Sequence, residues 1–229
     1  AQTDDYAVVY KPRAMHSAPL SEGEEGTLLS WCGALIPEVL SVRGKKSIER
    51  GLLHRLDRDT EGLVLLAKNQ RAYDSLSGAQ ESGRFLKEYR AACVGPLPAP
   101  LAARTLPFVV ESGFRPFGPG RRAVKPVVTD TGGKPIGKVK ELALDRGAPY
   151  RTEILSLVSA GPEGTRVLAV ARLARGFRHQ VRCHLAWIGL PLVGDELYGS
   201  GGDEPLALSA IALSFPDPAG GAPVRYSLD

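Results

Sequence analysis

The segment from Tyr150 to Leu173 constrains the fold most. Two runs of strand-forming residues, 150–159 and 166–173, flank a turn containing Gly161-Pro162-Glu163-Gly164. So short a connection joins antiparallel neighbours, because parallel strands need a crossover of about a dozen residues or more. A chain made only of βαβ units is therefore excluded. Elsewhere the patterns mix. Residues 6–10 read as a strand closed by Lys11-Pro12, and 62–67 form a continuous apolar run suited to a buried strand. Residues 27–40 read as a helix with Leu28, Leu29, Trp31, Cys32, Leu35 and Ile36 on its apolar side. Asn69 is placed to cap a second helix reaching about Glu81, with Ala72, Tyr73, Leu76 and Ala79 at helical spacing. Residues 85–94 alternate like a strand and stop at Gly95-Pro96, 177–188 look helical and end at Gly189-Leu190-Pro191, and 206–215 are a further apolar segment. Hairpins among interspersed helices predict an α+β fold.

From Gly95 to Gly137 proline and glycine are frequent, and 115–125 is basic with little apolar content. This stretch (95–137) is expected to be a variable loop or hairpin insertion with short strands, the kind of segment that often carries function. With 229 residues, 43% of them hydrophobic, the chain can bury a core of its own, and one domain over 1–229 is expected. No apolar run reaches the ~18 residues of a membrane span. The start has no charged-then-apolar leader, although it opens at Ala1 and a preceding segment is compatible with that. Three widely spaced cysteines, Cys32, Cys93 and Cys183, with no Cys-x-x-Cys pair, read as reduced thiols of a cytoplasmic protein. Lys and Arg exceed Asp and Glu by 29 − 25 = 4. That balance permits a nucleic-acid partner without demanding one.

Three segments carry the residue types of chemistry. Leu53-His54-Arg55-Leu56-Asp57-Arg58-Asp59-Thr60-Glu61-Gly62 places acids and bases in a loop that feeds the buried apolar run. On spacing alone the Asp57/Asp59 pair reads equally as turn capping. Lys87-Glu88-Tyr89-Arg90-Ala91 puts Lys87, Tyr89 and Ala91 on one strand face; Tyr89 suits base stacking or proton transfer, and also plain strand packing. Arg175-Gly176-Phe177-Arg178-His179-Gln180-Val181-Arg182-Cys183-His184, read as a helix, sets Arg178 and Arg182 on one face near a helix N-terminus, where anions bind well. His179, Cys183 and His184 are not spaced to hold a metal, and none is expected.

Together these segments resemble the RluA-type pseudouridine synthase family. His54-Arg55-Leu56-Asp57 with Thr60 and Gly62 is similar to its His-Arg-Leu-Asp signature, and Lys87 with Tyr89 to its Lys-x-Tyr strand. Gly176 to His184 resembles its Gly-Arg-x-His-Gln-Ile-Arg-x-His helix, and Gly189, Pro191, Gly194, Asp195, Tyr198 and Gly199 resemble its closing turn. The likeness runs from about Tyr6 to Phe215. It departs at Phe177 (usually Arg), Arg175 (usually Thr), Glu61 (usually Ser) and Ser209 (usually His).

The resemblance implies a mixed, mainly antiparallel sheet flanked by helices around a central RNA-binding cleft. It implies isomerisation of uridine to pseudouridine in ribosomal or transfer RNA, with no cofactor and without a separate N-terminal RNA-binding domain in these residues; a monomer is expected, although the sequence does not encode the oligomeric state legibly. Asp57, Tyr89 and Arg182 are the implied catalytic residues, with Arg182 as counter-charge to Asp57. Arg55, Arg58, Lys87, Arg175, Arg178, His179 and Gln180 are the implied RNA-binding residues, with His179 and Gln180 also orienting the helix. His54 is expected as a packed imidazole, and Asp195 and Tyr198 as turn builders. Glu61 near phosphate would be unfavourable unless an Arg pairs with it. Two other readings compete: a protein of the same fold that binds RNA without turnover, and a glycosidase-like hydrolase using Asp57 and Asp59. Carboxylates two residues apart are poorly placed to flank a bond from opposite sides, which argues against the second.

Overall fold

The computed structural model describes residues 1–127, 150–199 and 201–228. In chain order the elements are β1 (Tyr6–Lys11), α1 (Leu28–Leu35), β2 (Glu61–Ala67), α2 (Gln70–Glu81), β3 (Leu86–Val94), α3 (Ala99–Ala102), β4 (Phe108–Phe117), β5 (Ala123–Val127), β6 (Tyr150–Ala160), β7 (Arg166–Leu173), α4 (Gln180–Trp187), β8 (Leu208–Pro216) and β9 (Pro223–Ser227). They divide into two units, Ala1–Lys87 with Ser209–Asp229, and Glu88–Leu208.

In the first unit β1 runs antiparallel to β2, in register from Tyr6↔Ala67 to Lys11↔Gly62. The start of β2 pairs in parallel with the start of β8, Glu61↔Ser209 and Gly62↔Ala210, while the later part of β8 pairs antiparallel with β9. Gly62 has φ 123°, and a Cβ there would lie 2.2 Å from the Ala210 oxygen. Only glycine lets the two backbones close at this point. α2 begins as its sequence predicts, with Asn69 Oδ1 accepting from Ala72 N at 2.9 Å. Its buried stripe of Ala72, Tyr73, Leu76 and Ala79 packs with Leu63, Leu65 and Ala67 of β2 and with Phe85, Leu213 and Phe215.

The helix expected over 27–40 is shorter. A capping box opens it, Thr27 Oγ1 accepting from Ser30 N and Ser30 Oγ accepting from Thr27 N. It stops after Leu35, and Pro37–Ser41 form a 3-10 turn. Pro37 has no N–H to continue the ladder, and it disfavours a helical residue before it. The buried face is Leu28, Leu29, Cys32 and Gly33. Trp31 and Leu35, expected on that face, are 62% and 80% exposed.

In the second unit the strand order is β3-β7-β6-β4-β5. The predicted hairpin is present as β6 and β7, antiparallel from Ala160↔Arg166 back to Glu153↔Arg172, with a register shift between Ile154 and Ser156. β4 was not expected at this length. It lies in the stretch expected to be a loop or a hairpin with short strands, and it forms that hairpin with β5, from Gly113↔Val127 to Phe117↔Ala123, while its first half pairs with β6 from Phe108↔Ile154 to Ser112↔Tyr150. Long-range pairing with β6 overrides the loop-like composition. Residues 128–137 of that stretch lie outside the described residues. α4 starts three residues later than the sequence suggests, because His179 takes a left-handed conformation (φ 56°, ψ 19°) as its N-cap. Arg178 therefore precedes the helix and does not share a helical face with Arg182.

Candidate active site

Asp57 sits in a short loop of the first unit, four residues before β2 begins. The loop is held from below by two buried side chains. Ser17, 3% exposed, donates through Oγ to Leu56 O at 2.9 Å and accepts from Leu56 N at 3.0 Å. Lys11, fully buried, donates through Nζ to Pro12 O (2.9 Å), Met15 O (2.8 Å) and Arg58 O (3.1 Å). Met15 N also donates to Arg58 O, and Thr60 N closes a turn onto Asp57 O at 3.1 Å. Burial pulls the Lys11 ammonium down to about 8 although Asp59, Asp57 and Glu61 favour its charge. The residues on both sides of Asp57 are thus fixed through their main chain, while Asp57 itself is half-buried.

His54 is a packed ring. Its Nε2 accepts from Leu65 N at 3.3 Å, which places the proton of the neutral imidazole on Nδ1, and its ring meets Phe85 edge-on at 5.4 Å. Desolvation, helped by Lys87, holds it well below the ordinary histidine range. Lys87 is 5% exposed, lies 5.3 Å from the Phe85 ring centre, and is pushed down to about 8 by burial.

The second unit carries Tyr89 and Arg182. Tyr89 lies on the buried face of β3 with Lys87, Ala91 and Cys93. Arg182, on α4, forms a bidentate pair with Asp195: Nε to Oδ2 and Nη2 to Oδ1, both 2.8 Å. The Asp195 side chain is fully buried and also accepts from Leu197 N and Tyr198 N, so it builds the expected turn and anchors Arg182 as well. Burial alone would raise its pKa, but Arg182 and the two backbone N–H groups hold it below the usual carboxylate range. The Arg182 guanidinium lies over the Tyr198 ring at 5.4 Å, and the Tyr198 hydroxyl accepts from Val124 N at 2.8 Å and contacts His179 Nδ1 at 3.1 Å. α4 is tied to the sheet by Gln180, whose Nε2 donates to Arg151 O and Thr152 Oγ1, and by His184, whose two ring nitrogens meet Thr152 Oγ1 and Ser112 Oγ at 2.8 Å. His184 is fully buried, and desolvation pulls it down to about 3, so it is neutral.

Residues 5–187 match the family model described as RNA pseudouridylate synthase. The chain belongs to that family. It is 31% identical to an RNA pseudouridine synthase of Chloroflexus aurantiacus over 82% of this chain and 50% of the relative. It is 28% identical to the ribosomal large subunit pseudouridine synthase D of Yersinia pestis over 86% of this chain and 51% of the relative. The chain thus spans about half the length of these curated relatives. Among solved structures, human RNA pseudouridylate synthase domain containing 4 superposes with a TM-score of 0.68 at 19% identity, covering 100% of this chain and 87% of that one. The protein therefore has the pseudouridine synthase fold.

Two departures from the family pattern meet each other. Glu61 and Ser209 are 148 positions apart in sequence and paired across β2 and β8, and Ser209 Oγ donates to Glu61 Oε1 at 2.8 Å. Arg13 Nη2 reaches the same oxygen at 2.7 Å, and the Tyr10 hydroxyl donates to Oε2 at 2.9 Å. The Arg that Glu61 was expected to need is Arg13. Desolvation would raise the Glu61 pKa, but these three donors lower it, so the carboxylate is ionised and compensated. Phe177 stands in an aromatic cluster instead of offering a cation. Its ring is parallel to Phe114 (5.1 Å, 6°) and 4.9 Å from Tyr150.

The residues implied to bind RNA are placed differently from one another. Arg55 and Arg58 are about half exposed, paired with Glu49 at 2.9 Å and Asp59 at 3.1 Å. Arg175 is exposed, and Arg178 is exposed but donates to Arg121 O at 2.8 Å. Lys87 and Gln180 are buried, and Gln180 accepts from Phe177 N and donates to Arg151 O and Thr152 Oγ1, so its position is that of a brace. No group of three or more metal-binding side chains is found among the described residues, and no helix there is long and apolar enough to cross a membrane. Sequence reasoning missed Ser17 and the role of Lys11, whose partners are distant in sequence; only the Lys-Pro strand end hinted at Lys11.

Proposed function

We propose that this chain isomerises uridine to pseudouridine within a structured RNA, using the Asp57 carboxylate. The observation that carries this is the Asp57 loop: a family-signature carboxylate, half-buried, on a backbone pinned on both sides by Ser17, Lys11 and Thr60. A reacting group needs such fixed placement. The reaction breaks the bond between ribose and the uracil nitrogen, turns the base, and rejoins it through carbon; a proton leaves that carbon and one is gained at nitrogen. No net electrons are exchanged. Asp57 serves as nucleophile or proton acceptor, and both roles require its ionised form. Arg182 supplies a buried positive charge held in orientation by Asp195, and Tyr89 stacks on or relays a proton to the detached base. The target uridine must first leave its stack, which costs a few kcal/mol, and contacts to phosphates offset this.

The relatives named for the large ribosomal subunit favour ribosomal RNA as substrate, with transfer RNA as the other class. Residues 1–229 act as one catalytic module and as a monomer in this reading. The three cysteines are free and buried, in keeping with a cytoplasmic site of action. The test is to incubate the protein, and separately an Asp57→Ala variant, with total RNA from a strain lacking the gene, and to map pseudouridine at nucleotide resolution. New sites with the parent and none with the variant are expected. No site with either protein, despite measurable RNA binding, would replace this reading with that of a binding protein.

A further inference from the structure

The β4–β5 hairpin and the loop before α4 form an unusual surface in the second unit. Residues 112–127 contain Arg115, Arg121, Arg122 and Lys125 and no Asp or Glu. Arg115 and Lys125 are directly opposite each other across the β4–β5 ladder. Like charges in that position destabilise a sheet. Arg175 and Arg178 add exposed cations from the loop before α4, and Arg178 is docked on the hairpin through Arg121 O. Among the described residues, none of Arg115, Arg121, Arg122, Arg175 and Arg178 has an ion pair with a carboxylate.

Beside Arg175, Arg178 and the turn that carries Arg121 and Arg122 stand Phe114, Tyr150 and Phe177, whereas Arg115 and Lys125 project from the other face of the β4–β5 ribbon, where Lys125 lies over Phe117 at 4.8 Å. Phe114 and Phe177 are stacked nearly parallel, and Tyr150 lies within 5.6 Å of Phe114 and 4.9 Å of Phe177, centre to centre. All three keep partial solvent exposure. A cluster that served only to cover His184 beneath Phe114 would gain from full burial and from acidic neighbours to balance the arginines. Partly open aromatic rings within uncompensated arginines match what an unpaired RNA strand requires: a π-face for a base and donors for flanking phosphates.

We propose that Phe177, with Phe114 and Tyr150, is a stacking platform for an unpaired nucleobase of the RNA, and that the arginines around it bind the phosphates on either side. Phe177, where the family usually has Arg, exchanges a charged grip for a stacking one. This rests on the reading of the chain as an RNA-modifying enzyme and adds how it holds the strand beside the target.

The test compares two ligands by fluorescence anisotropy: a fluorescein-labelled unstructured RNA of about 12 nucleotides, and a ribose-phosphate oligomer of equal length without bases. The parent is expected to bind the RNA about tenfold more tightly than the baseless oligomer, because stacking adds to phosphate contact. Phe177→Leu, which keeps an apolar side chain of similar size, abolishes that preference, and Phe177→Trp keeps it. Arg121→Gln with Arg122→Gln weakens both ligands alike and makes binding less salt-dependent. If the parent binds both oligomers equally while still forming pseudouridine in total RNA, the platform is refuted and the enzymatic reading stands. If it binds neither oligomer and forms no pseudouridine, both fall. Because Tyr89 also favours a base, the assignment to the platform is read from Phe177→Leu against Phe177→Trp, and Tyr150→Leu, expected to reduce the preference in the same way, replaces Phe177→Leu should that variant fold poorly.

Discussion

Replacing Asp195 with Asn is the sharpest probe of how Arg182 is held. The Asp195 side chain is fully buried and that of Arg182 is 9% exposed. One carboxylate accepts four bonds: two from the guanidinium at 2.8 Å, one from Leu197 N at 2.9 Å and one from Tyr198 N at 3.1 Å. In the Asn variant the amide oxygen can keep the two turn bonds at the Oδ1 position. Its NH2 group then faces Arg182 Nε–H, donor against donor, and the negative charge beside the guanidinium is gone. Removing one partner of a buried ion pair costs about 3–5 kcal/mol. The retained turn bonds place Asn at the lower end, near ~3 kcal/mol. For a chain of this size that corresponds to a fall in Tm of roughly 6–12 °C. Urea unfolding followed by circular dichroism measures the free energy, and pseudouridine formation measured in parallel reports whether Arg182 still serves the reaction. An Arg182→Met, Asp195→Asn double variant, which removes both charges and keeps the turn bonds, is expected to be more stable than Asp195→Asn although inactive. A stability of Asp195→Asn within about 1 kcal/mol of the parent would show that Asp195 does not hold Arg182 as a buried ion pair.

Two further outcomes are expected. Glu61→Gln loses its charge against Arg13, and because these side chains are 23% and 33% exposed the loss is modest, about 1 kcal/mol; adding Ser209→Ala then costs less than in the parent, with a coupling of about 0.5–1 kcal/mol, and strictly additive effects in the double-mutant cycle would disprove the bond between them. Stability is expected to fall on acidification well before carboxylates titrate: His184 is pulled down to about 3 in the fold against an ordinary 6.5, so below pH 6.5 the unfolded chain takes up a proton that the folded chain does not. The loss from pH 6.5 to 4.5 is on the order of 2–3 kcal/mol from this residue, and His54 adds in the same direction; a flat urea-denaturation profile over that range would count against neutral, buried histidines.

Local signals in the sequence were informative wherever local physics decides the outcome. Asn69 and the spacing of Ala72, Tyr73, Leu76 and Ala79 gave α2, and the Gly-Pro-Glu-Gly turn gave β6 and β7. Misreadings arose where a single residue or a distant partner took over. Pro37 cut α1 short, and the left-handed His179 delayed α4, an event that no periodicity records. β4 is longer than the short strands expected there because its first half pairs with β6, and β9, which opens at Pro223, exists through pairing with β8. In the site, the motif residues were legible but their supports were not. Asp195 read as a turn residue and proved also to be the anchor of Arg182, and Glu61 found its compensation in Ser209 and Arg13.

The bonds that fix the Asp57 loop have one property in common. Those from Lys11, Ser17, Met15 and Thr60 all end on main-chain atoms of Leu56, Asp57 and Arg58. Scaffold and chemistry are therefore separable at this site: a side chain at 57 can be exchanged without cutting any of those ties, whereas Lys11 or Ser17 can be altered only by loosening the loop. Selection can thus act on the reacting group and on its mounting independently. An engineered loop that presents a different functional group at position 57 inherits a ready-made rigid frame.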